Sequence, residues 1–375
     1  MRFGIFYELQ LPRPWGERSE YQLLQDSLAQ IELADGLGFD NAWCVEHHFL
    51  EEYSHCSAPE LFLTACAMQT QRIRVGHGIA VCVPEINHPV RIAERAAVLD
   101  ILSGGRLELG TGRSATWTEL GGFGVDPDST KKSWDEFVRA LPKMWTQERY
   151  AHQGRCFSLP ERAVLPKPLQ QPHPPLWVAV TSPGTEIDAA ERGLGHLGLA
   201  LGGLAAQEKR VASYRRRIQH CDPVGEFVNE QVNCVNFLFC HEDGRYGMET
   251  GERIARAFSS AAAQLMEIKE SYPATNYLTP GLLSSIRRDV ENPGSQGVAD
   301  GLVYGDPDRV AAVLAQWESI GVDRVVFLVN ALETVPQHEV LASLRLFARE
   351  VMPRFGAGPE TEIAVDEPAV PELRR

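Results

Sequence analysis

The sequence predicts a (β/α)8 barrel, and three observations predict it. Short β-rich runs alternate with amphipathic helical stretches along almost the whole chain of 375 residues. Eight such runs are present, the number that closes a parallel barrel. The segments that follow the runs gather imidazoles, a guanidinium, hydroxyls and glycines, as expected where functional groups project from the C-terminal ends of barrel strands. A doubly wound open sheet gives the same alternation and is the alternative architecture.

Taken in order, RFGIFY (2–7) is the first strand. Residues 21–38 place apolar side chains at helical spacing, with Ser19 as cap and Gly36 and Gly38 at the end. NAWCV (41–45) is strand two, 59–69 a helix, and the β-rich run 73–83 strand three. Residues 89–102 form an amphipathic helix that His88 caps and that Ser103, Gly104 and Gly105 close, with Asp100 and Arg106 pairing across the turn. RLELGTG (106–112) is strand four and 132–145 the next helix. The stretch 146–175 is polar and Pro-rich, which excludes a helix or a central strand there. It reads as a linker or as an excursion before strand five at 176–180. A helix over 185–195, strand six at 196–201, a helix over 205–219 and strand seven at 232–240 follow. Residues 248–269 and 281–291 look helical. A helix over 307–321, strand eight at 323–329 and a helix over 338–351 complete the pattern. Residues 1–355 are therefore expected to form one domain, and the Pro- and Glu-rich tail from Gly356 to be disordered or draped on the surface. Trp134, Trp145 and Trp317 sit in helical patterns and read as core.

Composition narrows the function. A formal net charge of −14 repels phosphate backbones and anionic lipid, so neither nucleic acid nor a membrane is an expected partner. A hydrophobic fraction of 44% supports a sizeable core, yet no run is long enough for a membrane span, and the N-terminal apolar run is too short for a signal peptide. The eight cysteines show no CxxC spacing and no zinc-type cluster, and several sit in apolar stretches. They read as reduced, which suits a cytoplasmic protein.

Two post-strand segments carry candidate chemistry. Glu46-His47-His48 follows strand two, where the chain turns and both imidazoles can reach the mouth. Neutral imidazole suits acid or base work near pH 7, although a solvated histidine pair is the plain alternative. Thr181-Ser182-Pro183-Gly184-Thr185 follows strand five, with Thr185 and Asp188 spaced as a capping box. A helix N-terminus there, with Arg113 arriving from the neighbouring strand end, suits a phosphate. A capped helix and a surface arginine would read the same way. Strand three carries Gly76-His77-Gly78, and glycine within a strand marks a bulge or close backbone approach.

These residues resemble a known family. The segment 72–114, with His88-Pro89-Val90-Arg91, Leu99-Asp100 and Ser103-Gly104-Gly105-Arg106, is similar to the hallmark region of the bacterial luciferase-like flavin-dependent monooxygenases. VEHHF (45–49), the opening MRFGIFYE, VTSPGT and the closing LRLFAREVMP are similar too, so the resemblance runs in order through roughly residues 1–355. It implies a barrel with an insertion near strand seven, as a homodimer or higher oligomer. It implies FMN in its reduced form, FMNH2, delivered by a separate NAD(P)H:flavin reductase. O2 would then give a C4a-hydroperoxyflavin that oxidises a small organic substrate.

Carried over residue by residue, His47 matches the catalytic histidine, with His48 and Glu46 orienting it. Arg113, Lys131, Ser182 and Thr185 match phosphate ligands, Thr181 offers its amide, and Gly78 and Ile79 lie against the isoalloxazine ring. The resemblance also implies a non-proline cis peptide at or next to Gly78–Ile79 and a lid within residues 270–300. The luciferase α subunit has a reactive cysteine where this chain has Gly112 and a glutamate where it has Thr181, so light emission is not expected. Residues 146–175 and 241–300 match poorly, and those carry substrate specificity. Trp15, Trp117, Phe123 and Tyr277 suggest a hydrophobic substrate. The competing readings are an F420-dependent dehydrogenase or reductase of the same superfamily, a non-catalytic flavin-binding protein, and a metal-dependent barrel hydrolase. The last is disfavoured because no HxH, HExxH or carboxylate-rich ligand set is present.

Overall fold

The computed structural model describes residues 1–114, 116–200, 203–267 and 301–356. Eight parallel strands close on themselves: β1 (Arg2–Tyr7), β2 (Asn41–Cys44), β3 (Arg74–Val81), β4 (Leu107–Gly112), β7 (Leu176–Val180), β8 (Gly195–Leu199), β9 (Val232–Cys240) and β11 (Arg324–Leu328). β11 pairs with both β9 and β1, which completes the ring and excludes the open sheet. These are the eight strands read from the sequence, with ends moved by a residue or two. Each is buried almost throughout, because one face meets the barrel interior and the other the helices.

The helices that cover the barrel are α1 (Ser19–Leu37), α2 (Pro59–Gln69), α3 (Pro89–Leu102), α5 (Thr130–Thr146), α6 (Thr185–Glu191), α7 (Gly203–Ile218), α8 (Gly244–Glu267), α9 (Pro307–Ser319) and α10 (Gln337–Glu350). The expected insertion lies between β9 and β11. That connection holds two helices, α8 and α9, where one would suffice, and between them the short strand β10 (Val303–Gly305), which pairs with the end of β9. The helix expected at 281–291, the lid expected within 270–300, Tyr277 and the tail beyond Gly356 lie outside the described residues.

Several local readings are corrected. Of the two alternatives for the Pro-rich stretch 146–175 the excursion holds, but it carries an antiparallel hairpin that was not read from the sequence, β5 (Tyr150–Gln153) and β6 (Ser158–Arg162), outside the barrel sheet. A short helix, α4 (Trp117–Gly122), was not foreseen, because six residues with two glycines show no helical period. Ser19 opens α1 without capping it; its Oγ accepts from Gly16 N at 2.9 Å. Asp100 and Arg106 do not pair. Asp100 accepts from Gln170, while Arg106 donates to Ser103, Thr70 and the carbonyls of Ile73 and Ala67. His88 does cap α3, accepting from Val90 N.

Trp134, Trp145 and Trp317 are core, and each indole N–H is satisfied, by Thr111 Oγ1, Ala93 O and Gly301 O respectively. Inside the barrel, Trp43 and Trp177 meet edge to face at 5.6 Å. Gly76 makes room for them, since a Cβ there would lie 2.4 Å from the Trp43 ring. Beneath them Arg324, almost fully buried, pairs with Asp40 and Glu108, and Arg74 donates to Glu108 at 2.7 Å. This plug closes the N-terminal end of the barrel and leaves the opposite end for chemistry. No helix among the described residues is long and apolar enough to cross a membrane.

Candidate active site

The C-terminal mouth is where the backbone departs from ordinary geometry. Among the described residues, the non-glycine residues with positive φ are Leu9, Phe49, Ser114, Leu332 and Glu333. They follow β1, β2, β4 and β11, so they ring one end of the barrel. Such conformations persist only where surrounding packing imposes them, and they concentrate at functional sites.

His47 sits at this mouth between two buried carboxylates. Its Nδ1 lies 2.9 Å from Glu119 Oε1, and its Nε2 lies 3.5 Å from Glu8 Oε2. Its backbone N–H donates to Cys56 O at 2.9 Å, which fixes the loop after β2. Glu119, on α4, has no solvent exposure and accepts also from Ser114 Oγ and Thr116 Oγ1 at 2.8 Å and from His48 N at 3.2 Å. Burial opposes its charge, but His47 and the two hydroxyls overcome this and hold the carboxyl below its ordinary range. For His47, burial acts to lower the pKa. The charge and hydrogen bond of Glu119, with Glu8 behind them, outweigh it and push the value up to about 9. The imidazole is therefore held as a cation at neutral pH, where the sequence had suggested a neutral ring. Burial drives Glu8 up to about 7, against the opposing pull of His47 and of the Tyr53 hydroxyl.

His48 and Glu46 form a separate unit. His48 Nε2 lies 3.2 Å from Glu46 Oε1. Glu46 also accepts from Val81 N and Asn87 Nδ2, both at 2.7 Å, and Asn87 in turn accepts from Arg95. Both histidines reach the mouth, as expected. The orienting partners of His47 are Glu119 and Glu8, however, whereas Glu46 braces β3 and His48. The His48 ring meets Phe123 at 5.0 Å, and Phe123 meets the exposed Phe49 at 5.2 Å, so an apolar patch borders the site.

Strand β3 bulges beside this pair. Its register against β4 shifts between His77 and Ala80, and the Gly78–Ile79 peptide is cis, as the family resemblance implied. The glycines of β4 admit the bulge: a Cβ on Gly112 would fall 2.6 Å from Ile79 Cγ1, and one on Gly110 would fall 2.1 Å from His77 O. His77 itself points away from the mouth, into a small cavity lined by Glu60, Asn87, Arg95 and Leu109, and burial lowers its pKa. It is thus not one of the mouth imidazoles.

The phosphate candidates lie after β4 and β7 and at the start of α5. β4 and β7 are neighbours, so the segments that carry Arg113, just past β4, and Thr181, just past β7, leave adjoining strand ends. Lys131, at the start of α5, pairs with Asp188 of α6 at 2.8 Å, so it stands at the same helix. Helix α6 begins at Thr185, but the cap is Gly184 in the left-handed region at φ 86°, and Thr185 makes no side-chain cap. The capping box is thus not formed, which leaves the hydroxyls of Ser182 and Thr185 for other acceptors. Gly184 N donates to Glu186 Oε2, and Arg210 of α7 donates to Thr181 O.

A family model described as luciferase-like monooxygenase matches residues 1–324. The chain belongs to that family. The oxygenase component of flavin-dependent trigonelline monooxygenase from Acinetobacter baylyi is 31% identical over 195 residues, 52% of this chain and 52% of that protein. Limonene 1,2-monooxygenase from Rhodococcus erythropolis is 25% identical over 94% of this chain and 86% of its own. The crystal structure of the monooxygenase RslO1 from Streptomyces bottropensis superposes with a TM-score of 0.77 at 26% identity, covering 95% of this chain and 100% of that one. The aligned stretch spans about half the length of the first curated relatives the chain matches.

Within this luciferase-like chain, sequence reasoning missed three residues at His47: Glu8, Tyr53 and Glu119. A signal for Glu119 existed. Thr116-Trp117-Thr118-Glu119 has capping-box spacing, and Thr116 Oγ1 does accept from Glu119 N at 3.2 Å. Glu8 follows the first strand and nothing in its neighbours marks it.

Proposed function

We propose that the chain is the oxygenase component of a two-component flavin-dependent monooxygenase, using FMNH2 supplied by a separate NAD(P)H:flavin reductase. The observation that carries this reading is His47 clamped between the buried carboxylates of Glu119 and Glu8 at the barrel mouth. The donor set suits FMN: the cations Arg113 and Lys131, the hydroxyls of Ser182 and Thr185 and the amide of Thr181 would hold a phosphate monoester. Lys131 would then exchange Asp188 for the phosphate. The bulge at Gly78 and Ile79 supplies a backbone face for a flat ring, since the glycines of β4 let it stand out from the strand.

Bound reduced flavin would supply the electrons that activate O2 and deliver one oxygen atom to an organic substrate. The protein's part is to hold and orient, and to keep a proton at His47 that can be given where negative charge develops on oxygen. Glu119 keeps the imidazole in one orientation and in its charged form. Phe49 and Phe123 offer apolar surface to a small hydrophobic substrate. Anaerobic titration with FMNH2 and with F420 tests the cofactor. Binding of reduced FMN, followed by substrate-dependent O2 consumption against aldehydes, ketones and terpenes, supports the reading. Binding of F420 in place of FMN overturns it.

A further inference from the structure

Glu8 is more than nine-tenths buried, yet its carboxylate is under-satisfied. One oxygen accepts from Tyr53 Oη at 3.3 Å. The other, Oε2, is buried without a hydrogen-bond partner and points toward His47 Nε2 at 3.5 Å. Buried carboxylate oxygens are ordinarily paired, because an unmet acceptor costs its desolvation. Glu119, on the opposite side of the same ring, is fully satisfied, with four donors. The two carboxylates are thus built for different tasks. One is an anchor whose lone pairs are all used. The other is held close enough to take a proton and left free to take it.

We propose that Glu8, acting through His47, is the positioning residue that sets when the site releases and recovers its proton, an inference that rests on the catalytic reading of His47 above. In the transfer the Nε2–H bond of the imidazolium breaks, an O–H bond forms on Glu8 Oε2, and both groups become neutral while Glu119 stays ionised. The reverse step restores the ion pair. The titratable groups facing Glu8 are His47 after β2, Tyr53 on the loop after β2 and Glu119 on α4. Those facing His47 are Glu119, Glu8 and Cys56. Burial first, then the charge of Glu8, raises the Tyr53 pKa, so that hydroxyl remains a donor and does not compete for the proton. Glu8, at about 7, then titrates near neutrality, while His47 remains charged beyond it.

The test uses the full-length protein and the variants E8Q, E8D and Y53F, with the His47 ring resonances assigned by their loss in H47A. Imidazole titration by NMR should show the His47 pKa lowered by roughly one to three units in E8Q, the effect of removing a nearby opposite charge. E8D, which keeps a carboxylate, should recover most of the shift. Y53F should raise the pKa of Glu8, seen as a displaced neutral-pH inflection in the same His47 resonances. With reduced FMN and O2, the pH profile of peroxide release above a protein-free control should lose its inflection near neutrality in E8Q. An unmoved His47 titration in a folded E8Q, or equal behaviour of E8Q and E8D, would overturn the proposal. If E8Q does not fold, the Y53F displacement decides in its place. Failure of the wild type to bind FMN would overturn the oxygenase reading alone, because the NMR titration needs no flavin.

Discussion

Replacing Glu119 by glutamine isolates the anchor of the site. Glutamine keeps the shape and can still accept from His47 Nδ1–H, but removes the charge, and the hydroxyls of Ser114 and Thr116 must turn to meet an amide. Two unit charges about 4 Å apart interact by roughly 4 kcal/mol at an effective dielectric of 20, near three pKa units before desolvation is subtracted. A fall of roughly one to three units would bring His47 from about 9 to roughly 6–8. The stability effect follows from linkage. His47 has a raised folded-state pKa, so its contribution is complete below 6.5 and is lost as pH rises through about 9. Glu119 has a lowered one, so its contribution is present above 4.5 and is lost as pH falls through its folded value. Glu119→Gln should therefore destabilise most between pH 4.5 and 6.5, by about 1.5–3 kcal/mol, the value of a hydrogen bond to a charged group. The difference should shrink toward zero above pH 9. Urea denaturation of both proteins across that range measures it. A difference that does not vary with pH would refute the assignment of His47 as a cation held by Glu119.

Three further outcomes are expected. His47→Ala should retain FMNH2 affinity while lowering substrate oxygenation by roughly 10²–10⁴-fold, the span of a lost acid–base group, as read by stopped-flow binding and product analysis. Unchanged turnover in a folded variant would remove His47 from the chemistry. Arg113→Ala should weaken FMN by about 1.5–3 kcal/mol and riboflavin far less, because only FMN carries the phosphate; equal weakening by fluorescence titration would place Arg113 elsewhere. Gly112→Ala should destabilise the protein by about 1–3 kcal/mol and disturb flavin binding, since its Cβ would meet Ile79 at 2.6 Å; a neutral melt with normal binding would show that the β3 bulge yields readily.

The barrel was legible because its signals are local and repeated. Every barrel strand is a short apolar run between breakers, and every long helix repeats its apolar face, so eight units in order leave few topologies. The unforeseen elements lack those properties. α4 is six residues with two glycines, and β5 and β6 form a mostly exposed hairpin whose residues need no apolar alternation. The pairing of Asp100 with Arg106 failed for a related reason. Proximity along the chain suggested it, but Asp100 is fully buried and meets Gln170, seventy residues away, while Arg106 spends its donors on the end of α2 and the residues leading into β3.

The site divides along the same line, and the division explains what kind of residue a sequence can announce. Glu46, His47 and His48 announce themselves as a cluster in the chain, whereas the capping box that singled out Thr185 and Asp188 is not formed. The protonation state of His47 is announced nowhere, because it depends on carboxylates that arrive from β1 and α4, tens of residues to either side. Glu46, the carboxylate adjacent in sequence, turns instead to Val81, Asn87 and His48. A backbone leaving a strand end sends successive side chains to different sides, so the neighbour in sequence is poorly placed to be the neighbour in space. Two closed-barrel strand ends, by contrast, must meet at the mouth whatever lies between them. A buried histidine there should therefore draw its charge partners from the ends of other strands rather than from its own. For this chain β1 supplies Glu8, the acceptor with an oxygen still unmet, and the loop and helix after β4 supply Glu119, the anchor with none.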